Sequence, residues 1–248
     1  MDSPMHTALS RAGAVVSAFD AERRTLSQTD ISRRTGLPLT TVHRICGELS
    51  SFGALERRSD GKYQIGLRLW EIGSLAPRSQ GLREVALPIM EDLFVATQEN
   101  VQLVVREGNE AVCVERIFGA KAVQLRGGAG SRLPVHASSG GLVILASSES
   151  GVIEEVLAGE LPRLGANTVV SDHGLRQLLA ETRRTGFAVC NRFVDEVAIA
   201  VAAPVTDAKG AVVAALSVVA SVDTADPRPL VPAVRTAARA ISRALGSN

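Results

Sequence analysis

Within five consecutive residues, Thr40, Thr41, His43 and Arg44 bring together two hydroxyls, an imidazole and a guanidinium. Such donors and acceptors match base edges and phosphate oxygens when one helix face presents them to a nucleic-acid groove. Three cations follow: Arg57, Arg58 and Lys62, set around Ser59-Asp60-Gly61 and suited to flanking phosphates. Glu48 stands four residues beyond Arg44, so an ion pair along a helix competes for that guanidinium. Catalytic chemistry is poorly provided for. His136, Ser138 and Asp172 are hydrolase-type residues, but the run His136-Ala137-Ser138-Ser139-Gly140-Gly141 is not a GxSxG elbow. Gly127-Gly128-Ala129-Gly130 is not followed by Lys-Ser or Lys-Thr, which excludes a P-loop. The three cysteines are widely spaced and odd in number, and the four histidines are scattered. Neither set forms a disulfide framework or a metal motif. No catalytic residue, metal or cofactor is expected, so the chain reads as a non-enzyme in which His136 is a structural hydrogen-bonding residue.

The first cluster needs a helix to carry it, and the surrounding residues supply one. Ala8, Leu9, Ala12, Val15, Val16 and Phe19 recur on one helical face, predicting a helix over 7–19, with 20–25 as a loop. Ser27 is a cap, with Asp30 three residues on as an imperfect capping-box partner, for a helix over 28–35 that buries Ile31. Gly36 suits the left-handed turn that follows. Pro38 then stands just inside a second helix, where Val42, Ile45, Cys46 and Leu49 face the core and Thr40, Thr41, His43, Arg44 and Glu48 do not. Helix, short glycine turn and helix make a helix-turn-helix, whose second helix enters the major groove. Strands over 54–58 and 62–65 around Asp60-Gly61 form a hairpin wing. Residues 21–68 hold 9 basic and 5 acidic side chains, whereas residues 76–248 hold 17 and 18, so the positive excess sits on this module.

Beyond the wing, residues 66–75 have helical apolar spacing and contain Trp70, the one tryptophan, which reads as a packing residue of core or linker. Residues 76–79 make a break. A helix over 80–100 with Pro88 inside carries Leu82, Val85, Ile89, Leu93 and Val95 as one stripe. Strands are predicted over 101–106, 111–116 and 121–126, then over 187–191, 198–205 and 211–220. Helices are predicted from about 139 to 147, over 148–157, over 174–185 and over 231–245. Helices flanking antiparallel strands give an α+β fold. The N-terminal MDSPMHTALSR has no basic leader followed by an apolar segment. No apolar run approaches the ~20 residues of a membrane-spanning helix. A cytoplasmic protein with no membrane partner is the expectation.

Residues 35–45 (TGLPLTTVHRI), 52–66 (FGALERRSDGKYQIG) and 67–74 (LRLWEIGS) resemble the DNA-binding domain of IclR-type bacterial transcriptional regulators. Residues 132–146 (RLPVHASSGGLVILA), 186–189 (GFAV) and 201–218 (VAAPVTDAKGAVVAALSV) resemble the GAF-like effector-binding domain of the same family. The resemblance implies a winged helix-turn-helix over 1–65, a linker helix over 66–78 that supports dimer contacts, and an effector-binding and oligomerisation domain over 79–248. It also implies a small-molecule pocket over one sheet face, at Ser138, Ser139, Gly140 and Gly141, then Cys190, Ala200, Ser217 and Val219. Cys190, Ala200 and Val219 are less polar than in members binding very small acids, which favours a larger or more apolar ligand, an organic acid with an aromatic body among the candidates. The implied protein binds a double-stranded operator as a homodimer or homotetramer under control of that effector. Residues 191–196 (NRFVDE) lack the family's usual loop pattern. This motivates an alternative, a winged-helix regulator whose sensor domain acts by protein contact without a ligand.

Overall fold

The computed structural model describes residues 7–20, 23–75, 77–120, 122–125, 128–224 and 226–246, with the backbone alone over 77–80. The chain divides into two compact units, Met1–Gln80 and Gly81–Asn248.

In the first unit, α1 (Ala8–Ser17) starts at a Thr7 cap that exchanges hydrogen bonds with Ser10. Strand β1 (Thr25–Leu26) precedes α2 (Gln28–Thr35). The imperfect box at its start is complete: Ser27 Oγ accepts from Asp30 N at 3.1 Å, and the Asp30 carboxylate accepts from Ser27 N at 3.1 Å. Gly36 ends the helix in the left-handed region at φ 69°. Helix α3 (Leu39–Ser51) follows, with Pro38 at the capping position and not inside the first turn. Extended ψ at Pro38 explains the offset, because the chain turns helical only from Leu39. β2 (Leu55–Arg57) and β3 (Tyr63–Ile65) form the wing. The expected loop over 20–25 is partly a strand: Thr25 and Leu26 pair with Gln64 and Tyr63, giving a three-stranded sheet in the order β1-β3-β2. Val15, Ile31, Val42, Ile45, Cys46, Leu55 and Tyr63 are its core. Gly66 is held tightly, since a Cβ there would lie 2.2 Å from the Gly53 carbonyl. Helix α4 (Leu67–Ser74) buries none of its residues. Trp70 is 68% exposed, contrary to the packing role expected of it, and Leu67, Ile72 and Leu75 are exposed alongside.

Helix α5 (Pro77–Thr97) runs through Pro88. Its buried face is Ala86, Met90 and Leu93, so Val95 falls outside the expected stripe and is exposed. The sheet comprises β4 (Asn100–Glu107), β5 (Glu110–Ile117), β6 (Arg132–Pro134), β7 (Ala188–Asn191), β8 (Ala198–Thr206) and β9 (Val212–Ser221), antiparallel in the order β6-β5-β4-β9-β8-β7. Residues 122–125 form no strand, and Lys121 and Arg126 of that expected strand lie outside the described residues. The short β6 on the same edge was not anticipated. Helices α6 (Ser139–Ala146), α7 (Ser150–Ala158) and α8 (Asp172–Thr185) intervene, and α9 (Pro227–Gly246) closes the fold. α9 starts four residues before its expected first turn, because Pro227 and Pro229 fall in the first turn, where a missing N–H costs no intrahelical bond.

Strand alternation assigns the two faces. Val101, Leu103, Val105, Val201, Ala203, Leu216 and Val218 pack with α5 and α9 in one layer. Val104, Ala111, Ala202, Ala215 and Cys190 pack with α6, α7 and α8 in the other. The result is an α+β domain with helices on both faces. No helix among the described residues is long and apolar enough to cross a membrane.

Candidate nucleic-acid interface and ligand cavity

The buried side of α3 leaves Thr40, His43 and Arg44 exposed and Thr41 half-buried on its outer face. The Thr40 and Thr41 hydroxyls make no hydrogen bond among the described residues. His43 is engaged from α2, its Nδ1 lying 3.2 Å from Gln28 Nε2, which also donates to the Tyr63 hydroxyl at 3.0 Å. Gln28 thereby joins the reading helix to the wing, a positioning role that Gln28 showed no sign of in the sequence. Arg44 donates to Glu48. On the wing, Arg58 donates to Gln64 at 3.1 Å and lies 3.7 Å from the Asp60 carboxylate. Arg57 sits 5.9 Å above the Tyr63 ring. Lys62 is exposed, with no carboxylate in ion-pair range of its ammonium among the described residues. On α2, Arg33 and Arg34 are taken up by Asp30 and Asp20.

The second unit holds a partly open cavity of about 300 Å³ between the sheet and the start of α6. Ladder register brings its floor together. Cys190 pairs with Ala200, Ala200 with Val219, and Val219 with Asn100, forming one row across four strands. Two residues along β9, Ser217 pairs with Gln102. Of the eight expected positions, Ser138, Ser139, Gly140, Cys190, Ala200, Ser217 and Val219 line the space. Gly141 does not line it. A Cβ there would lie 2.2 Å from the Val135 carbonyl and 2.8 Å from Ser138 Oγ, so close packing explains that glycine. Ser138 caps α6 by accepting from Gly141 N at 3.1 Å. Helix geometry gives the Ser139 and Gly140 amides no intrahelical acceptor. Ser139 Oγ and Ser217 Oγ, both buried, lie 3.2 Å apart.

Gln102, Cys113, Leu133, Phe193 and Asp195 also line the cavity; the first three were not anticipated, while the last two belong to the 191–196 loop that the family resemblance places at the pocket. Gln102 had a visible signal, being the one polar residue in the run Val101-Gln102-Leu103-Val104-Val105. The unusual 191–196 loop contributes Phe193, Val194 and Asp195. It is tied down from 165–168: Thr168 Oγ1 donates to Phe193 O at 2.5 Å, and Asn167 N donates to Arg192 O at 3.2 Å. Burial pushes the Cys113 thiol up to about 11 and the Cys190 thiol higher still, so both present neutral S–H groups. His136 is buried outside the lining, its Nε2 lying 3.2 Å from Pro162 O, and burial lowers its pKa. No group of His, Cys, Asp and Glu that could hold a metal occurs among the described residues.

A helix-turn-helix joined to an α+β domain that holds a mostly apolar cavity has the architecture of a transcriptional regulator. The family pattern described as "Bacterial transcriptional regulator IclR C-terminal" matches residues 75–243, and the "IclR helix-turn-helix domain" matches residues 8–59. The chain belongs to the IclR family of bacterial transcriptional regulators. It is 32% identical to the HTH-type transcriptional regulator KipR of Bacillus subtilis over 225 residues, 89% of this chain and 90% of that protein. It is 30% identical to the HTH-type transcriptional regulator XynR of Escherichia coli over 248 residues, 98% of each. Its fold is similar to the crystal structure of an IclR homolog from Microbacterium hydrocarbonoxydans complexed with 4-hydroxybenzoate. That match has a TM-score of 0.89 and 39% identity, over 98% of this chain and 100% of the other. KipR and XynR are both transcriptional regulators.

Proposed function

We propose that this chain binds an operator as a dimer or tetramer and that a small aromatic acid modulates its DNA binding or the transcription that follows. In this reading residues 1–65 contact DNA, 66–78 link, and 79–248 bind effector and oligomerise. Thr40, Thr41, His43 and Arg44 meet the groove, while Arg57, Arg58 and Lys62 meet phosphates. The observation that carries the reading is the partly open, mostly apolar cavity, which has the features of a small-molecule site: apolar walls and a few convergent polar groups. The 4-hydroxybenzoate complex of the structural relative supports an aromatic acid as the ligand class. Exposed Leu67, Trp70, Ile72 and Leu75 on α4 support pairing through the linker, which would set two reading helices about one DNA turn, ~34 Å, apart. The cavity also favours this reading over a sensor acting by protein contact alone.

The test is fluorescence anisotropy with the intergenic DNA beside its gene, titrated with aromatic and aliphatic acids while thermal shifts are followed in parallel. At least one aromatic acid should change operator affinity and raise the melting temperature. Intact DNA binding with no response to any acid would instead favour regulation by protein contact.

A further inference from the structure

Two carboxamides project from the same face of β4, and they differ in one respect. Asn100 is fully occupied. Its Nδ2 donates to Val123 O at 3.0 Å and to Val219 O at 3.2 Å, and its Oδ1 accepts from Arg116 Nη2 at 2.6 Å and Nε at 3.2 Å. Gln102, two residues on, is half-buried and lines the cavity, and its side chain makes no hydrogen bond among the described residues. Its cross-strand partner is Ser217, which makes them same-face neighbours. Ser217 in turn faces Ser139 at 3.2 Å. Two hydroxyls bonded to each other use one of their two protons, so the other can serve a further acceptor. An amide and a hydroxyl pair from three separate elements therefore converge on one spot of a cavity whose neighbouring walls, Val104, Ala200 and Val219, are apolar. The Gln102 amide is half-buried, and a ligand seated over it would exclude the remaining water and meet the amide with a hydrogen bond of its own.

We propose that Gln102 is a specificity-determining residue of the cavity and reads the acid head of the effector. Its Nε2–H donates to one carboxylate oxygen, and the spare proton of the Ser139–Ser217 pair serves the same group. The ring of the ligand lies against Val104, Ala200 and Val219. This inference rests on the cavity being the effector site. It adds that an acid is distinguished there from its neutral amide by hydrogen bonds that Gln102 donates.

The experiment is calorimetric titration of the full-length protein with 4-hydroxybenzoate and 4-hydroxybenzamide. The wild-type chain should prefer the acid. Gln102→Glu should invert that order at neutral pH, because the new carboxylate repels the acid and accepts from the amide N–H. An unchanged acid-to-amide ratio overturns the proposal. Gln102→Met provides a check without added charge, using 4-methylphenol, which keeps the ring and hydroxyl but lacks the head. The variant should lose affinity for the acid by about tenfold or more, the value of one hydrogen bond to a charged group, and bind 4-methylphenol unchanged. Equal loss of both, or of neither, overturns the proposal. Failure of the wild-type chain to bind either the acid or the amide also overturns it, while the wider acid panel decides separately whether the cavity is an effector site.

Discussion

Arg44 Nη1 donates to Glu48 Oε1 at 2.5 Å across one turn of α3, with both side chains more than half exposed. A pair of this kind adds only ~0.2–0.5 kcal/mol to a helix, whereas an arginine reading a base contributes ~1–3 kcal/mol. The guanidinium can therefore leave Glu48 for DNA at little cost. Arg44→Ala should leave the melting temperature nearly unchanged and weaken operator binding by ~1–3 kcal/mol. Unchanged affinity in a footprinting titration would remove Arg44 from the reading set.

Lys62 stands at the wing tip with its ammonium open to solvent. A lysine that neutralises one phosphate releases about one counterion, so Lys62→Ala should reduce the slope of log K against log salt by about 0.9. The loss should be similar on operator and random DNA. A slope identical to that of the wild-type protein would place Lys62 away from the phosphates.

The Ser27–Asp30 box holds the entry to the helix-turn-helix. Ser27→Ala should cost about 1 kcal/mol of stability in the first unit, read by urea unfolding. The Asp30 carboxyl is held below its ordinary value of 3.8, first by the Ser27 hydroxyl, then by the Ser27 amide. Because the folded-state value is depressed, this stabilisation is complete above the unfolded value and disappears as pH falls through the folded one. An NMR titration that finds Asp30 unshifted in the wild-type protein would contradict the box.

Gly141 and Gly140 should respond differently to alanine. At Gly141 the new methyl meets the Val135 carbonyl at 2.2 Å, a backbone atom that cannot step aside, so Gly141→Ala should destabilise the second unit by ~1–3 kcal/mol or more. At Gly140 the nearest atoms belong to the Val104 side chain, at 3.1 Å, and the methyl would also intrude on the cavity lining. Gly140→Ala should therefore lower ligand affinity more than it lowers the melting temperature. Equal melting temperatures for Gly141→Ala and the wild-type chain would refute the packing argument.

Cys46, Cys113 and Cys190 are all buried, and burial raises the pKa of each thiol, to about 11 for the first two. Thiolate is the reactive form. Iodoacetamide at pH 8 should alkylate the native protein far more slowly than the urea-unfolded chain, as mass spectrometry would report. A cysteine modified natively at the unfolded rate would show an opening that the packed fold does not provide.

The helix-turn-helix could be read from the sequence because its signals are local. Ser27 and Asp30, Gly36, and Asp60-Gly61 each act within a few residues. Strand β1 could not be read, because two residues owe their strand conformation to Gln64 and Tyr63, nearly forty positions away. The seven lining positions followed from family resemblance, and the shared Gly140-Gly141 pair concealed that only the first faces the cavity. Gln102 gave a signal that could not be interpreted from the sequence alone. A lone polar residue in an apolar strand acquires meaning only once the β4–β9 register sets it opposite Ser217. With Trp70, apolar character pointed to burial, but nothing in residues 67–75 separates a helix face packed by its own chain from one left open.

Because the sequence contains a single tryptophan, all of its indole emission originates from one point on α4, where 68% of that residue meets water. The chain thus carries an intrinsic optical probe at the helix proposed to pair. A dilution series should move the spectrum from the blue of a covered indole to the red of a hydrated one. The midpoint of that curve reads the self-association constant without a label, and its displacement by an added acid measures directly how strongly effector binding and assembly are coupled.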